Sequence, residues 1–232
     1  ILDKEWKLND KDIRVPFPPQ SQLSGYQGEI GKRLVYQKVF SLPKGLLKDR
    51  FLLHFGAVDQ ICKVYVNDAL VGENEGGYLP FELDITKAYL AGENTLRVEV
   101  TDKLDVTYPY GKQCKARGEM WYTPISGIWQ SVWLECVPET YIEKIKITPD
   151  LTGVDLEIKV KGDKTDFESL KAQVTILHEG GQICKEVQIG ASERIDLKEE
   201  GVEPKLWSPE SPYLYEMQIS VGTDKVESYF GL

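Results

Sequence analysis

Cysteine, histidine and methionine are scarce in this chain: its 232 residues include four, two and two of them, respectively. Cys62, Cys114, Cys136 and Cys184 are far apart, and no two have the spacing of a metal site or a redox pair. Only His54 and His178 are left to complete a ligand set, so no metal and no other cofactor is expected. Apolar residues make up 41% of the chain, enough for a core that needs no crosslinks, and the cysteines are expected as free thiols in a reducing compartment. Long hydrophobic runs are missing as well. No segment approaches the ~20 apolar residues that span a bilayer, and no charged-then-apolar leader precedes Trp6. A soluble, cytoplasmic protein without a membrane partner is expected. Basic clusters are absent too: net charge is -9, and no run of Lys and Arg is long enough to neutralise a row of phosphates. Nucleic acid is therefore not an expected partner.

What the chain does have is alternation. Ile61 to Ile85 reads ICKVYVNDALVGENEGGYLPFELDI, two apolar runs of period two joined by Asn67-Asp68, which predicts a hairpin because successive strand side chains point to opposite faces. Asn and Asp tolerate the positive φ angles of a tight turn, although Gly would serve better than Asp68. Cys62, Val64 and Val66 are expected on the inward face. Gly76-Gly77 marks a bend, after which Phe81, Leu83 and Ile85 resume the pattern.

Upstream, Pro16-Phe17-Pro18-Pro19 predicts an extended edge segment. Leu34–Phe40 and Arg50–Phe55 read as strands, with Phe51, Leu53 and Phe55 on one face, Leu52 and His54 on the other, and His54 as a packed rather than catalytic residue. Thr86 is expected to cap a short turn that ends at Gly92. Leu96, Val98 and Val100 point inward, and Ser126–Glu135 predicts a closing strand with Trp129 and Trp133 on one face. Val137-Pro138 breaks the pattern, giving expected domains at 1–138 and 139–232. In the second, strands centred near Ile145, Leu156, Val174, Val187, Ile195, Met217 and Val226, with no helix between them, predict a β-sandwich in the ~100-residue class of immunoglobulin-like domains.

Several of these segments carry a resemblance. Val64-Tyr65-Val66-Asn67, Val71-Gly72, Gly76-Gly77-Tyr78, Pro80-Phe81, Asp84-Ile85-Thr86 and the stretch SGIWQSVWLE are similar in order and spacing to the N-terminal sugar-binding domain of glycoside hydrolase family 2. This family includes β-galactosidases, β-glucuronidases and β-mannosidases. Leu206–Tyr215 and Tyr229–Leu232 resemble its second domain. The implied fold is all-β, a galactose-binding-like jelly-roll sandwich followed by an immunoglobulin-like sandwich. The implied role is the front part of a retaining β-glycosidase whose (β/α)8 barrel, carrying both catalytic carboxylates, follows a segment like Tyr229–Leu232. A barrel and a β-glycoside are the implied partners. No catalytic residue is assigned in this chain, which alone is expected to be inactive. Asn74-Glu75 superficially matches the dipeptide that ends in the family's acid/base and is expected in a solvated loop.

One region is expected to approach substrate: the loop Tyr108–Tyr122, YPYGKQCKARGEMWY. Flat aromatics beside fixed hydrogen-bonding groups suit the apolar faces and hydroxyl rows of sugars. In similar family members a Gly-Lys-Gln segment, here Gly111-Lys112-Gln113, and an acidic residue before Met-Trp, here Glu119, reach toward the barrel. The substrate-proximal candidates are Lys112, Gln113, Arg117, Glu119 and Trp121. The competing reading makes Trp121 and Tyr122 core or domain-interface residues and the charges mere solvation. Gln20 stands where the family's pattern has Glu. An autonomous carbohydrate-binding module and a structural interaction domain are the alternative functions.

Overall fold

A computed structural model describes residues 1–114, 121–163, 167 and 169–232. The chain divides into two compact units, Ile1–Cys136 and Val137–Leu232. The strands of the first are β1 (Trp6–Leu8), β2 (Lys11–Ile13), β3 (Arg33–Ser41), β4 (Arg50–Phe55), β5 (Val58–Asp59), β6 (Ile61–Val66), β7 (Ala69–Glu75), β8 (Phe81–Asp84), β9 (Glu93–Thr101), β10 (Gly127–Ile128) and β11 (Val132–Val137). Those of the second are β12 (Tyr141–Pro149), β13 (Gly153–Lys161), β14 (Lys171–His178), β15 (Gly181–Gln188), β16 (Ser192–Asp196), β17 (Tyr215–Val221) and β18 (Asp224–Phe230). Among the described residues the only helical segments are two 3-10 turns, at Gln22–Ser24 and Lys44–Leu46. The chain is all-β.

In the first unit a six-stranded sheet of order β2-β1-β3-β9-β6-β7 accompanies a three-stranded sheet β11-β4-β8 and a short β10-β5 pair. Alternation decides which side chains fill the space between them. Leu34, Tyr36, Val64 and Val98 from the large sheet share one buried cluster with Leu53, Phe55 and Val132 from the small one. Each fully buried aliphatic or aromatic side chain contributes on the order of 1.5–3 kcal/mol. Trp6 meets Tyr36 edge-on, with ring centroids 6.2 Å apart, and Phe55 stacks on Phe81 at 4.9 Å.

The hairpin forms where the alternation places it. β6 pairs antiparallel with β7 across Asn67-Asp68, whose φ angles of 48° and 64° are those of a two-residue turn matched to strand twist. Cys62, Val64 and Val66 are buried. Gly76, at φ 115°, makes the bend that returns the chain toward β8.

Five local expectations are corrected. Pro16–Pro19 turns instead of running extended: Phe17 N–H donates to the Arg14 carbonyl at 3.2 Å and Ser21 N–H to that of Pro18 at 2.8 Å. A ring-fixed φ suits turns as well as edges. Ser126–Glu135 is two strands, because Ser131 turns its carbonyl to Gly56 N–H at 2.9 Å and β10 and β11 pair with different partners. Trp129 and Trp133 therefore do not share a face; Trp129 donates to the Gly77 carbonyl at 2.8 Å, whereas Trp133 stacks on His54 at 4.9 Å. At the turn after β8 it is Asp84 that caps, its Oδ1 accepting from Thr86 N–H at 2.9 Å and from Thr86 Oγ1 at 2.5 Å. Finally, Asn74 and Glu75 close strand β7, where Asn74 lies opposite Cys62.

The second unit is a sandwich of sheets β12-β13-β16 and β15-β14-β17-β18, with a strand at each of the seven expected positions. Val154, Leu156 and Ile158 of one sheet pack in a single cluster with Ala172, Val174, Ile176 and Met217 of the other. Tyr215 stacks on Phe230 at 5.2 Å and closes one end of the core.

Candidate functional site

The site begins where β9 ends. Between Thr101 and Gly127 the chain leaves the ladder, and its described residues are held by side-chain to backbone bonds. Asp102 accepts from Leu104 N–H at 2.8 Å and Asp105 from Thr107 N–H at 2.9 Å, two turns of the kind aspartates favour. Tyr78, from the bend after β7, donates to the Pro109 carbonyl at 3.0 Å.

Gln113 is the central brace. Its Nε2 donates to the Tyr110 carbonyl at 3.1 Å and its Oε1 accepts from Ile125 N–H at 2.6 Å, so one amide ties together the two arms of the loop. The arms also pair directly: Tyr122 N–H donates to the Lys112 carbonyl at 3.0 Å and Cys114 N–H to that of Tyr122 at 3.2 Å. A second amide works from below, as Gln20 donates to Ser126 Oγ at 2.7 Å and accepts from Ser126 N–H at 3.2 Å.

On this braced base Lys112 is exposed, Gln113 is half-buried, and Trp121 and Tyr122 are 50% and 67% exposed. Trp121 and Tyr122 are thus not core residues of the first unit. Arg117 and Glu119, within 115–120, lie outside the described residues. Of the candidates that are described, the structure brings Lys112, Gln113 and the Trp121-Tyr122 pair together at the paired arms. An exposed aromatic pair beside a lysine and fixed backbone groups offers stacking and hydrogen bonding.

Under the loop lies a group the sequence did not single out. Asp59, on β5 opposite Gly127, is 5% exposed, and its carboxyl has no hydrogen-bond partner among the described residues. Burial, and next the charge of Asp102, push its pKa up to about 6. A Cβ on Gly77 would lie 2.3 Å from Asp59 Oδ1, so this carboxyl is what requires glycine there. Gln20 and Tyr78 are long-range partners of the loop, and Asp59 lies close to its Asp102. Gln20 had a signal in its departure from an otherwise similar motif and Tyr78 in the Gly76-Gly77-Tyr78 motif; Asp59 had none.

The model for the sugar-binding domain of glycosyl hydrolases family 2 matches residues 14–138, and the family's following model matches residues 140–232. The chain belongs to glycoside hydrolase family 2. It corresponds to the noncatalytic N-terminal part of such enzymes. The β-galactosidase of Thermoanaerobacter pseudethanolicus is 27% identical over 230 residues, covering 92% of this chain and 29% of that protein. That of Clostridium acetobutylicum is 30% identical over 193 residues, 80% of this chain and 20% of that protein. A solved β-glucuronidase from an uncultured Clostridium sp. has a TM-score of 0.70 and 27% identity, over 95% of this chain and 38% of that one. This family 2 chain therefore spans well under half the length of the relatives it matches. Among its described residues no helix is long and apolar enough to cross a membrane, and no group of three or more His, Cys, Asp or Glu is arranged to hold a metal ion.

Proposed function

We propose that this chain is the front of a retaining β-glycosidase, lending the loop 102–126 to a substrate pocket completed by a (β/α)8 barrel. The observation that carries the reading is the pair of exposed aromatics, Trp121 and Tyr122, on a loop braced by Gln20 and Gln113. A segment that merely connects strands has no need of two half-buried amide braces beneath an exposed aromatic tip. In this role Lys112 and Trp121 meet the sugar, and Gln113 positions the loop. Retaining hydrolysis needs two carboxyl groups ~5–5.5 Å apart, and these belong to the barrel. A second feature agrees: Trp207 and Leu214, half-exposed, flank Gly231 next to the last residue, where Trp207 N–H donates to the Leu232 carbonyl at 2.8 Å. That apolar ground is suited to an adjoining domain.

The test has two steps. The gene is read past the codon for Leu232, where ~250 or more codons of alternating strand and helix are expected. In the enzyme so defined, Trp121→Ala and Lys112→Ala are expected to lower kcat/KM for nitrophenyl β-galactoside or β-glucuronide by at least tenfold, about 1.4 kcal/mol. Unchanged kinetics in both variants would overturn the loop's role.

A further inference from the structure

The outer face of the six-stranded sheet carries a polar row that the loop leaves unused. Register sets Lys7, Gln37, Arg97 and Tyr65 side by side on β1, β3, β9 and β6. Neighbouring strands are ~4.8 Å apart, so the row spans roughly 14 Å. It floors an open trough of about 520 Å³ whose walls include Thr95 and Asp68. Sites for small molecules occupy roughly 300–1,000 Å³.

Arg97 is fixed from two sides. Its guanidinium lies 3.8 Å from the centroid of the Tyr65 ring and pairs with Glu99, which also takes Arg33 at 3.1 Å. A donor held this way loses little freedom when its remaining N–H groups meet a ligand. Gln37 differs: its side chain is exposed and has no hydrogen-bond partner among the described residues, so both ends of its amide are open to a ligand.

The lining chemistry selects among ligand classes. Lys7 is engaged by Asp12 at 3.3 Å, Lys38 by the Lys4 carbonyl at 2.5 Å and Arg97 by Glu99, while Glu5 and Asp68 add negative charge. No uncompensated charge is left to draw an anion. One face of Tyr65 is covered by Arg97, and Val39 is the only large hydrophobic of the lining that is exposed among the described residues, so an apolar segment finds little to bury. What remains is donors and acceptors at fixed spacing, a match for rows of hydroxyl groups. The geometry points to a second carbohydrate-contact site in this trough, one that takes a neutral oligosaccharide. It is separate from the loop, because Arg97 lies four residues, roughly 13 Å along β9, from Thr101, where the loop begins.

The experiment is a set of amide-resolved NMR titrations of this chain with lactose and with cellobiose, and separately with glucuronate. At least one neutral disaccharide is expected to give saturating shifts at Gln37, Thr95 and Arg97 with a millimolar Kd. Gln37→Ala, which removes an exposed amide without a protein partner and so spares the fold, is expected to weaken binding about fivefold. Absence of shifts in the trough with both disaccharides, equal affinity in the Gln37→Ala and Arg97→Gln variants, or a response to glucuronate alone would overturn the site. Shifts confined to Tyr108–Tyr122 would also overturn it, while supporting the loop's role in sugar contact. The kinetic test of that loop is independent, so either reading can fail alone.

Discussion

At the scale of single residues, the turn between β6 and β7 shows how much one side chain can organise. Asn67 does more than tolerate a positive φ. Its Oδ1 accepts from Thr95 N–H at 2.9 Å, and its Nδ2 donates to the Ala88 carbonyl at 2.9 Å and to Asn94 Oδ1 at 2.7 Å. Asn94, 1% exposed, is then satisfied by Leu90 and Gly92. Asn67→Ala is expected to cost about 2–3 kcal/mol in a denaturant melt, because it leaves partly buried groups without partners. Its neighbour behaves oppositely. Asp68, at φ 64°, occupies a conformation that suits Gly, so Asp68→Gly is expected to gain about 0.5–1 kcal/mol in the same melt. Asp59 adds a pH dependence of definite sign. Its folded-state pKa of about 6 lies above the ordinary 3.8, so the native state binds its proton more tightly. Its contribution is full below pH ~4 and is lost as pH rises through ~6. Asp59→Asn is expected to raise stability by about 2–3 kcal/mol at pH 7.5 and by little at pH 4, read from thermal midpoints at the two pH values. An equal gain at both would show that the charge is not the cause.

At the scale of elements, strands were legible and their joins were not. Alternation is a local property, so β3, β6, β9, β13 and β14 could be read directly from residues such as Leu34-Tyr36, Val64-Val66 and Val98-Val100, and their inward faces with them. Pro16–Pro19 and Ser126–Glu135 failed for different reasons: a proline-fixed φ suits a local turn as well as an edge, whereas Ser126–Glu135 is broken by a bond from the distant Gly56 N–H to the Ser131 carbonyl. The loop 102–126 is the extreme case. Its aromatic content marked it as a candidate, but the bond that braces it from below joins Gln20 to Ser126, 106 residues apart. Gln20→Ala is expected to loosen the loop without unfolding the unit. Hydrogen exchange at Ser126 and Ile125 should quicken at least tenfold while amides of β3 and β9 keep their rates. Uniform acceleration across the unit would mean that Gln20 supports the fold as a whole.

At the scale of the whole molecule, each unit has its own core. The chain alone is expected to release no nitrophenol from β-galactoside or β-glucuronide; turnover abolished by a substitution within the chain would place chemistry where none is expected. Core truncations should act within their own unit: Leu53→Ala in the first and Leu156→Ala in the second are each expected to cost ~2–5 kcal/mol in the unfolding of that unit. The chain's five tryptophans sit in different surroundings. Trp133 lies flat against the imidazole of His54, with the rings only 2° from parallel and the His54 nitrogens 3.1 Å from Glu135 and 3.6 Å from Glu82. An indole held flat against an imidazole that two carboxylates brace has little freedom to turn, so its emission is tied to the packing around it. The protein thus carries an intrinsic fluorophore that reports the packing of one face of its smaller sheet, and His54→Ala, which opens the indole to water, should shift its emission to the red.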